Sequence, residues 1–207
     1  MMVPSDTARK GAVLTHDELQ QRLESDLVVT PILEQKQIGH GSVDISLGTQ
    51  FITSLRPHVE ELDPAELTSK HIRKFQKLVT VPFDEKFMLH PGSFLLGATL
   101  EFVSLPLDVA GFVLSRSNYG RAGLLIATAT YIHPGWKGCL TLELENLGEV
   151  PIALRPGLNV GQLVLIRADA IDRPLLKSIP VGPTFSSLKE PDNWKKLRHR
   201  PNADVEV

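Results

Sequence analysis

SRSNYGRAGLLIATATYIHPGWKGCLTLELEN, residues 115–146, is the stretch from which the fold of this protein can be predicted. Near its end, residues 140–145 alternate strictly between leucine and a polar side chain. That alternation predicts a β-strand with leucines on one face and Thr141, Glu143 and Glu145 on the other. Just before it, residues 133–136 read His-Pro-Gly-Trp. This predicts a tight turn, because Pro fixes φ and Gly tolerates positive φ.

The front of the same stretch has the side chains that a phosphate chain requires. Arg116, Ser117, Asn118, Gly120 and Arg121 bring two guanidinium groups, a hydroxyl, a carboxamide and a glycine close together. Guanidinium groups form charge-assisted, often bidentate hydrogen bonds with phosphate. Glycine lets the backbone approach a ligand closely. Salt bridges at a surface or an interface are the alternative explanation for the two arginines.

The rest of the chain repeats short apolar runs separated by Pro and Gly. Many short strands with regular turn signals favour an all-β barrel or double sheet over a βαβ fold. One helix is expected on the outside, because Thr15 and Glu18 fit a capping box, and it is expected to reach Leu27, before Pro31. The apolar runs lie at residues 43–51, 94–102, 109–114, 150–154, 158–160 and 163–166.

Three segments are distinguished along the chain. Residues 1–12 are expected to be a flexible N-terminus, residues 13–175 one β-barrel domain, and residues 176–207 a C-terminal segment. Between residues 56 and 87 the pattern weakens, which indicates an excursion with one short helix. Asp44, on the first predicted strand, is interpreted as a structural carboxylate, since no neighbour in the sequence makes it an acid or a base.

Composition narrows the class of protein. The 207 residues are 42% hydrophobic and 22% charged, which is ordinary for a globular domain. The formal charge of −2 gives no reason to expect nucleic acid or an anionic membrane as a partner. Cys139 is the only cysteine, so neither an internal disulfide nor a cysteine-rich zinc site is possible. The sequence has no long apolar run and no signal-peptide pattern, so a cytoplasmic protein is expected.

Several motifs, in the same order along the chain, resemble those of the dCTP deaminases and their bifunctional dUMP-forming relatives. This family shares its fold with the trimeric dUTPases. The resemblance implies an all-β, dUTPase-like distorted barrel of short antiparallel strands, with the helix on its outside. The matching stretches are GSVDISLG at 41–48, RSNYGR at 116–121, GL at 123–124, PGW at 134–136, TLE at 141–143, PG at 156–157, GQL at 161–163 and GPT at 182–184.

The resemblance also implies an activity, the deamination of dCTP with water to dUTP and ammonia, which supplies dUTP or dUMP for thymidylate synthesis. Glu143 matches the catalytic glutamate of the family, which acts as general base. Ser117 and Arg121 match the residues that position water and stabilise the tetrahedral intermediate. Contacts with substrate are expected from Arg116, Ser117, Asn118, Tyr119, Gly120, Arg121, His133, Thr141, Leu142 and Gln162.

By the same resemblance, the partners are a deoxynucleotide of the dCTP, dUTP or dTTP class and two further copies of the chain. The family builds each active site between neighbouring subunits of a homotrimer, and residues 182–184 would belong to a lid over the nucleotide. No protein-bound cofactor is expected, and Mg²⁺ would accompany the triphosphate. Zinc is not expected, because the chain lacks the Cys-x-x-Cys half of the site that many nucleobase deaminases use.

Two other functions remain open at this level. A dUTPase-type diphosphohydrolase is disfavoured by His133, which replaces an aspartate of the family and cannot supply a fixed negative charge. A catalytically silent nucleotide-binding or regulatory protein of the same fold is favoured by His133, by the missing family histidine in residues 125–129 and by the altered residues before Gly182. From alternation alone, Glu143 could also be an ordinary solvated side chain, which is how Glu145 is interpreted.

Overall fold

The computed structural model describes residues 11–55, 75–126 and 131–169. The predicted all-β fold of short antiparallel strands, with one helix on the outside, is confirmed. The helices are α1 (His16–Ser25) and α2 (Ser117–Arg121), with a 3₁₀ turn at Gln35–Gln37. The strands are β1 (Val28–Thr30), β2 (Ser42–Ser54), β3 (Gln76–Thr80), β4 (Phe87–Leu89), β5 (Phe94–Ser104), β6 (Val109–Ser115), β7 (Leu124–Ile126), β8 (Tyr131–Ile132), β9 (Lys137–Asn146), β10 (Ile152–Leu154) and β11 (Asn159–Arg167).

Nine of these strands form one antiparallel sheet. Its order is β7-β9-β5-β2-β11-β6-β8, with β1 added to β5 and β3 added to β2. Strands β4 and β10 form a separate pair. Strand β7, at one end of the order, also lies against β6, near the other end. The sheet therefore curls around a single interior.

Strand β2 changes partners along its length. Its first part, residues 42–46, pairs with β11, and the part from Leu47 onward pairs with β5 and then also with β3. Gly48 lies at the change, where an added Cβ would be 3.0 Å from the carbonyl oxygen of Thr99 and 3.2 Å from that of Ala98. These carbonyls belong to the neighbouring strand, so a residue larger than glycine does not fit without disturbing the pairing.

Strands β2 and β9 both turn one face toward the interior. The polar residues between the buried ones, among them Asp44 and Glu143, therefore lie on the opposite side of the curled sheet, which we call the outward face. Each fully buried leucine or isoleucine stabilises the fold by roughly 1.5–3 kcal/mol relative to an exposed one. The buried alternating residues are Val43, Ile45 and Leu47 in β2 and Leu140, Leu142 and Leu144 in β9.

The helix α1 begins as predicted. Thr15 is its N-cap, and the side chain of Glu18 accepts a hydrogen bond from the Thr15 N–H at 3.0 Å, which completes the capping box. The helix ends at Ser25, slightly short of the expected Leu27. Leu19 is fully buried and fixes the apolar side of the helix against the sheet.

The chain before α1 is attached to the last strand. The Leu14 N–H donates to the carbonyl of Leu165, and the Arg167 N–H donates to the carbonyl of Ala12, both at 2.9 Å. The Arg167 guanidinium also forms an ion pair with Glu18. Within the described part of the chain, no helix is long and apolar enough to cross a membrane.

Two sequence-based expectations differ from the structure. Residues 158–160 and 163–166, predicted as separate strands, belong to the single strand β11, which has a bulge between Asn159 and Gly161. A Cβ at Gly161 would lie 3.0 Å from the Leu114 carbonyl oxygen, so this glycine marks close packing against β6 and not a turn. Strand β3 lies at the end of the region interpreted as an excursion, and pairs with β2.

Several expectations lie outside the described residues. They are the N-terminal segment up to residue 10, which is expected to be flexible, residues 56–74 of the excursion expected to contain one short helix, and the C-terminal segment from residue 176. The domain boundaries at residues 13 and 175 stay predictions.

The contact between Arg22 and Asp108 attaches α1 to the loop before β6. The guanidinium donates to both carboxylate oxygens, at 2.9 and 2.5 Å. These hydrogen bonds from Arg22 lower the pKa of Asp108, against the effect of burial. A carboxyl whose pKa is lowered by folding stabilises the folded state above its ordinary pKa and loses that contribution as the pH falls through the lowered value.

We therefore expect Asp108→Asn to lower the free energy of unfolding by about 1 kcal/mol at neutral pH, the upper end for an ion pair that is partly exposed to solvent. The difference from the unsubstituted protein should shrink at acid pH, where Asp108 is protonated. Urea unfolding at neutral and acid pH measures both. Asp26→Asn is the control, since Asp26 accepts one hydrogen bond from Arg22 and should cost less. A loss that does not change with pH would contradict the assignment.

Candidate functional site

Glu143 is placed on the outward face by the alternation of β9. Its neighbours Leu142 and Leu144 are fully buried in the interior, and Glu143 lies opposite Leu96 of β5. The carboxyl is half-buried, and this burial raises its pKa above the ordinary value of 4.5. Among the described residues, no hydrogen bond or ion pair occupies it. A half-buried carboxylate that binds protons more tightly than usual suits a general base.

Residues 116–121, which are expected to contact phosphate, form a short helical turn. Arg116 is the N-cap of α2, and its carbonyl accepts hydrogen bonds from the N–H groups of Tyr119 at 3.1 Å and Gly120 at 3.2 Å. Ser117, Asn118, Gly120 and Arg121 are exposed, whereas the ring of Tyr119 packs against the core. The exposed members are therefore the ones that are free to meet a ligand.

Arg116 is held by a carboxylate on the outward face. Its guanidinium contacts Asp44 of β2, and the same carboxylate oxygen accepts a hydrogen bond from Asn159 of β11 at 2.9 Å. The Asp44 side chain is only 19% exposed. The interpretation of Asp44 as a structural carboxylate agrees with this arrangement, which also fixes the direction of the Arg116 side chain.

Gln162 belongs to the same group. It lies opposite Asp44 in the pairing of β11 with β2, and opposite Leu114 in the pairing with β6. Its side-chain oxygen accepts a hydrogen bond from the Ser42 hydroxyl at 3.1 Å. The pairing of three neighbouring strands therefore brings Arg116 and Gln162, which are far apart in sequence, to one part of the outward face.

Glu101 of β5 is a third carboxyl, close enough to Asp44 to be affected by its charge, and sequence reasoning missed it. It is fully buried, and its Oε2 accepts a hydrogen bond from the Ser46 N–H at 2.8 Å. Burial raises its pKa to about 7, and the nearby Asp44 carboxylate adds to the shift, whereas hydrogen bonds from Ser46 oppose it. The signal in the sequence was a single charged residue within the apolar run FLLGATLEFVS at 94–104.

His133 lies in the turn before β9. The N–H of Trp136 donates to the His133 carbonyl at 3.2 Å and Gly135 has φ +77°, which confirms the predicted tight turn. The exposed imidazole meets the Tyr131 ring edge-on at a centroid distance of 4.7 Å, and Tyr131 contacts Phe112 of β6 at 5.4 Å. The contact of His133 with a nucleotide sugar stays a prediction.

The expected site residues thus form two groups in a single chain. Arg116 and Gln162 lie beside β11, and Thr141 and Glu143 lie on β9. Among the described residues, neither Arg116 nor Gln162 forms a hydrogen bond or ion pair with Glu143. The Leu142 side chain is in the core, so a ligand could reach only its backbone. No cluster of three or more metal-ligating side chains is found in residues 11–55, 75–126 and 131–169.

The family model described as dCTP deaminase-like matches residues 13–168. The chain belongs to this family. A dCTP deaminase from Halorubrum lacusprofundi is 41% identical over 150 residues, which are 72% of this chain and 73% of the relative. A dUMP-forming dCTP deaminase from Methanobrevibacter smithii is 37% identical over 198 residues, which are 95% of this chain and 98% of the relative.

A solved structure of the same family shares the fold. It is the 2'-deoxycytidine 5'-triphosphate deaminase from Agrobacterium tumefaciens, with a TM-score of 0.59 and 20% sequence identity. The match covers 76% of this chain and 47% of that chain, so the protein spans about half the length of that structure. The likeness concerns the architecture of the dCTP deaminase-like barrel.

Two glycines, Gly123 and Gly148, connect helix α2 to the end of β9 in this dCTP deaminase-like chain. Gly123, just after α2, has φ +89°, and a Cβ there would lie 2.7 Å from the backbone nitrogen of Gly148. The N–H of Leu147 donates to the Gly123 carbonyl at 2.8 Å, and Gly148 N–H donates to the Asn146 side chain at 2.9 Å. The position of α2 relative to the strand that carries Glu143 depends on this close contact.

We expect Gly123→Ala to lower the free energy of unfolding by roughly 2–4 kcal/mol, because positive φ and overpacking both penalise the new methyl group. Gly120→Ala is the matched control, since a Cβ there meets no atom within 4 Å. Its effect should stay within about 1 kcal/mol, because alanine is preferred in a helix. Urea unfolding measures both variants. Equal losses would show that the contact with Gly148 has no special weight.

Proposed function

We propose that this protein deaminates dCTP, with water, to dUTP and ammonia. Membership of the dCTP deaminase-like family supports the proposal, as do the names of the two relatives. The single observation that carries it is the place of Glu143, half-buried on the outward face with a raised pKa. That is the condition of a group that can accept a proton from water near neutral pH.

In the proposed reaction, Glu143 takes a proton from water as the oxygen attacks C4 of cytosine. The resulting tetrahedral intermediate loses the amino group as ammonia, and Glu143 returns the proton to the leaving nitrogen. Since the base must be ionised, activity should fall as the pH drops through the raised pKa of Glu143. Burial strengthens each of these interactions, because little water competes for the charges.

Ser117 and Arg121 are proposed to position the water and to stabilise the charge that develops in the intermediate. Arg116, fixed by Asp44, would bind the phosphates. The remaining contacts with the nucleotide are proposed from Asn118, Tyr119, Gly120, His133, Thr141, Leu142 and Gln162, with Tyr119 and Leu142 acting through their backbones.

We propose dUTP as the product, not dUMP. Hydrolysis of the triphosphate by the dUTPase route requires a fixed negative charge that activates a second water, and His133 does not provide one. Mg²⁺ would enter with the triphosphate as part of the substrate. An assay that measures ammonia and pyrophosphate together separates the two products.

We also propose a homotrimer in the cytoplasm, with Ser117 and Arg121 of one copy acting beside Glu143 of a neighbour. Support comes from the family resemblance, and four large apolar side chains that a single chain leaves exposed by 40–44% are available to such an interface. Light scattering at micromolar concentration should give three times the mass of the chain. A monomer would contradict both the assembly and the shared site. The exposed side chains are Phe94, Leu114, Leu125 and Tyr131.

The direct test is Glu143→Gln. Glutamine keeps the shape and the hydrogen-bonding reach but cannot accept the proton, so ammonia release from dCTP should fall by roughly 10²–10⁴ or more, while dCTP binding persists. Glu145→Gln is the matched control, because Glu145 lies two positions along the same face of β9. It should leave ammonia release within about threefold of the unsubstituted rate, the range typical of a surface change.

Arg121→Ala should give a different phenotype. The guanidinium serves both the charge of the ligand and that of the intermediate, so binding and turnover should both fall. If Glu143→Gln releases ammonia at the unchanged rate, the assignment of the base is wrong. If the unsubstituted protein binds dCTP but releases nothing, the silent nucleotide-binding function replaces the deaminase.

A further inference from the structure

The proposed mechanism leaves the buried carboxyl of Glu101 without a role. Its Oε2 is satisfied by the Ser46 N–H, but its Oε1 is also buried and has no hydrogen-bond partner among the described residues. Burying a charged carboxyl with an unpaired oxygen lowers the free energy of unfolding, so such a group is either neutral or retained for a function. Glu101 lies where β2, β5 and β9 meet, between the two groups of expected site residues.

The surroundings of Glu101 connect it to both groups. On its own strand, the Thr99 hydroxyl donates to the Glu101 carbonyl and accepts from the Leu140 N–H of β9, both at 2.8 Å. On β9, the Cys139 thiol has its pKa raised by burial and then by the Glu101 charge. On β2, the Asp44 carboxylate acts on Glu101 electrostatically.

Beyond Asp44 lie two groups that hold it, the Arg116 guanidinium and the Asn159 carboxamide of β11. Asp44 therefore links Arg116 and Glu101, because it contacts Arg116 directly and acts electrostatically on Glu101.

We infer that Glu101 is a positioning residue of the nucleotide site, whose charge state sets the net charge beside Arg116 and thereby the strength of phosphate binding. The inference rests on the proposed function, since it requires Arg116 to bind the phosphates of a nucleotide.

The physical reason is the balance of charges around the Arg116 guanidinium. With Glu101 neutral, the Arg116 and Asp44 charges cancel, and the free N–H groups of the guanidinium attract phosphate without opposition. With Glu101 ionised, a second negative charge lies behind Asp44 in a region of low dielectric, where it competes for the guanidinium and repels the ligand. The pKa of about 7 means that both states are populated near neutral pH. Nucleotide binding should therefore weaken as the pH rises through neutrality.

The test compares dCTP binding by Glu143→Gln with binding by Glu143→Gln/Glu101→Gln, measured by calorimetry at pH 6 and pH 8.5. Glutamine can still accept from the Ser46 N–H but carries no charge. Between low and high pH, the affinity for dCTP should fall by about three- to tenfold more in the variant that keeps Glu101. This is the order of magnitude expected when one charge appears in a buried position nearby. The protonation of dCTP itself cancels in this comparison. Glu143→Gln/Glu145→Gln, which removes another carboxyl of the outward face, should keep the full pH dependence.

An equal pH dependence with and without Glu101 overturns the inference. A second measurement on the unsubstituted chain covers the case in which Glu101→Gln does not fold. By linkage, bound nucleotide must raise the titration midpoint of Glu101, which carboxyl ¹³C NMR can follow. An unmoved midpoint also overturns it. If the unsubstituted protein binds dCTP but releases no ammonia, the proposed function fails and the inference about Glu101 can still hold. If it does not bind dCTP, the proposed function and the inference about Glu101 are both overturned.

Discussion

The close passage of β2 over β5 at Gly48 is the constraint on which the rest of the structure depends. Two carbonyl oxygens of β5 occupy the space that a side chain at position 48 would need. Because glycine has no side chain, β2 can leave β11 and join β5 without a break. One strand therefore belongs to both halves of the curled sheet. The core residues of β2 keep their inward direction through the change, and its polar residues share the outward face with those of β9 and β11.

Three carboxyls of the sheet, on β2, β9 and β5, show how their surroundings divide their roles. Asp44 is paired with a guanidinium and a carboxamide, so it holds other side chains in place. Glu143 is half-buried without such partners, and its proton affinity rises. Glu101 is fully buried beside Ser46, and burial raises its pKa to about 7. The same functional group thus acts as a fixed charge, a candidate base and a titrating group within one sheet.

Local patterns predicted the parts of this molecule that depend on neighbours in sequence. The alternation of β9, the tight turn at His133 and the capping box at Thr15 all belong to this class. What the sequence could not reveal depends on pairing between distant strands. Asn159 reaches Asp44 across 115 positions, and Glu101 accepts its hydrogen bond from Ser46, 55 positions away. Gly161, a turn signal by composition, instead makes room for a neighbouring backbone.

The position of β11 has a consequence for how the chain folds. This strand is the last one in the described sequence, yet it lies between β2 and β6, near the middle of the sheet order. Until residues 159–167 have been synthesised, the facing edges of β2 and β6 lack the strand that pairs with both, although all the other described strands have already been made. Pairings over such sequence distances form slowly, and open strand edges invite association with other chains. A nascent chain of this protein is therefore most exposed to aggregation just before synthesis of the barrel is complete.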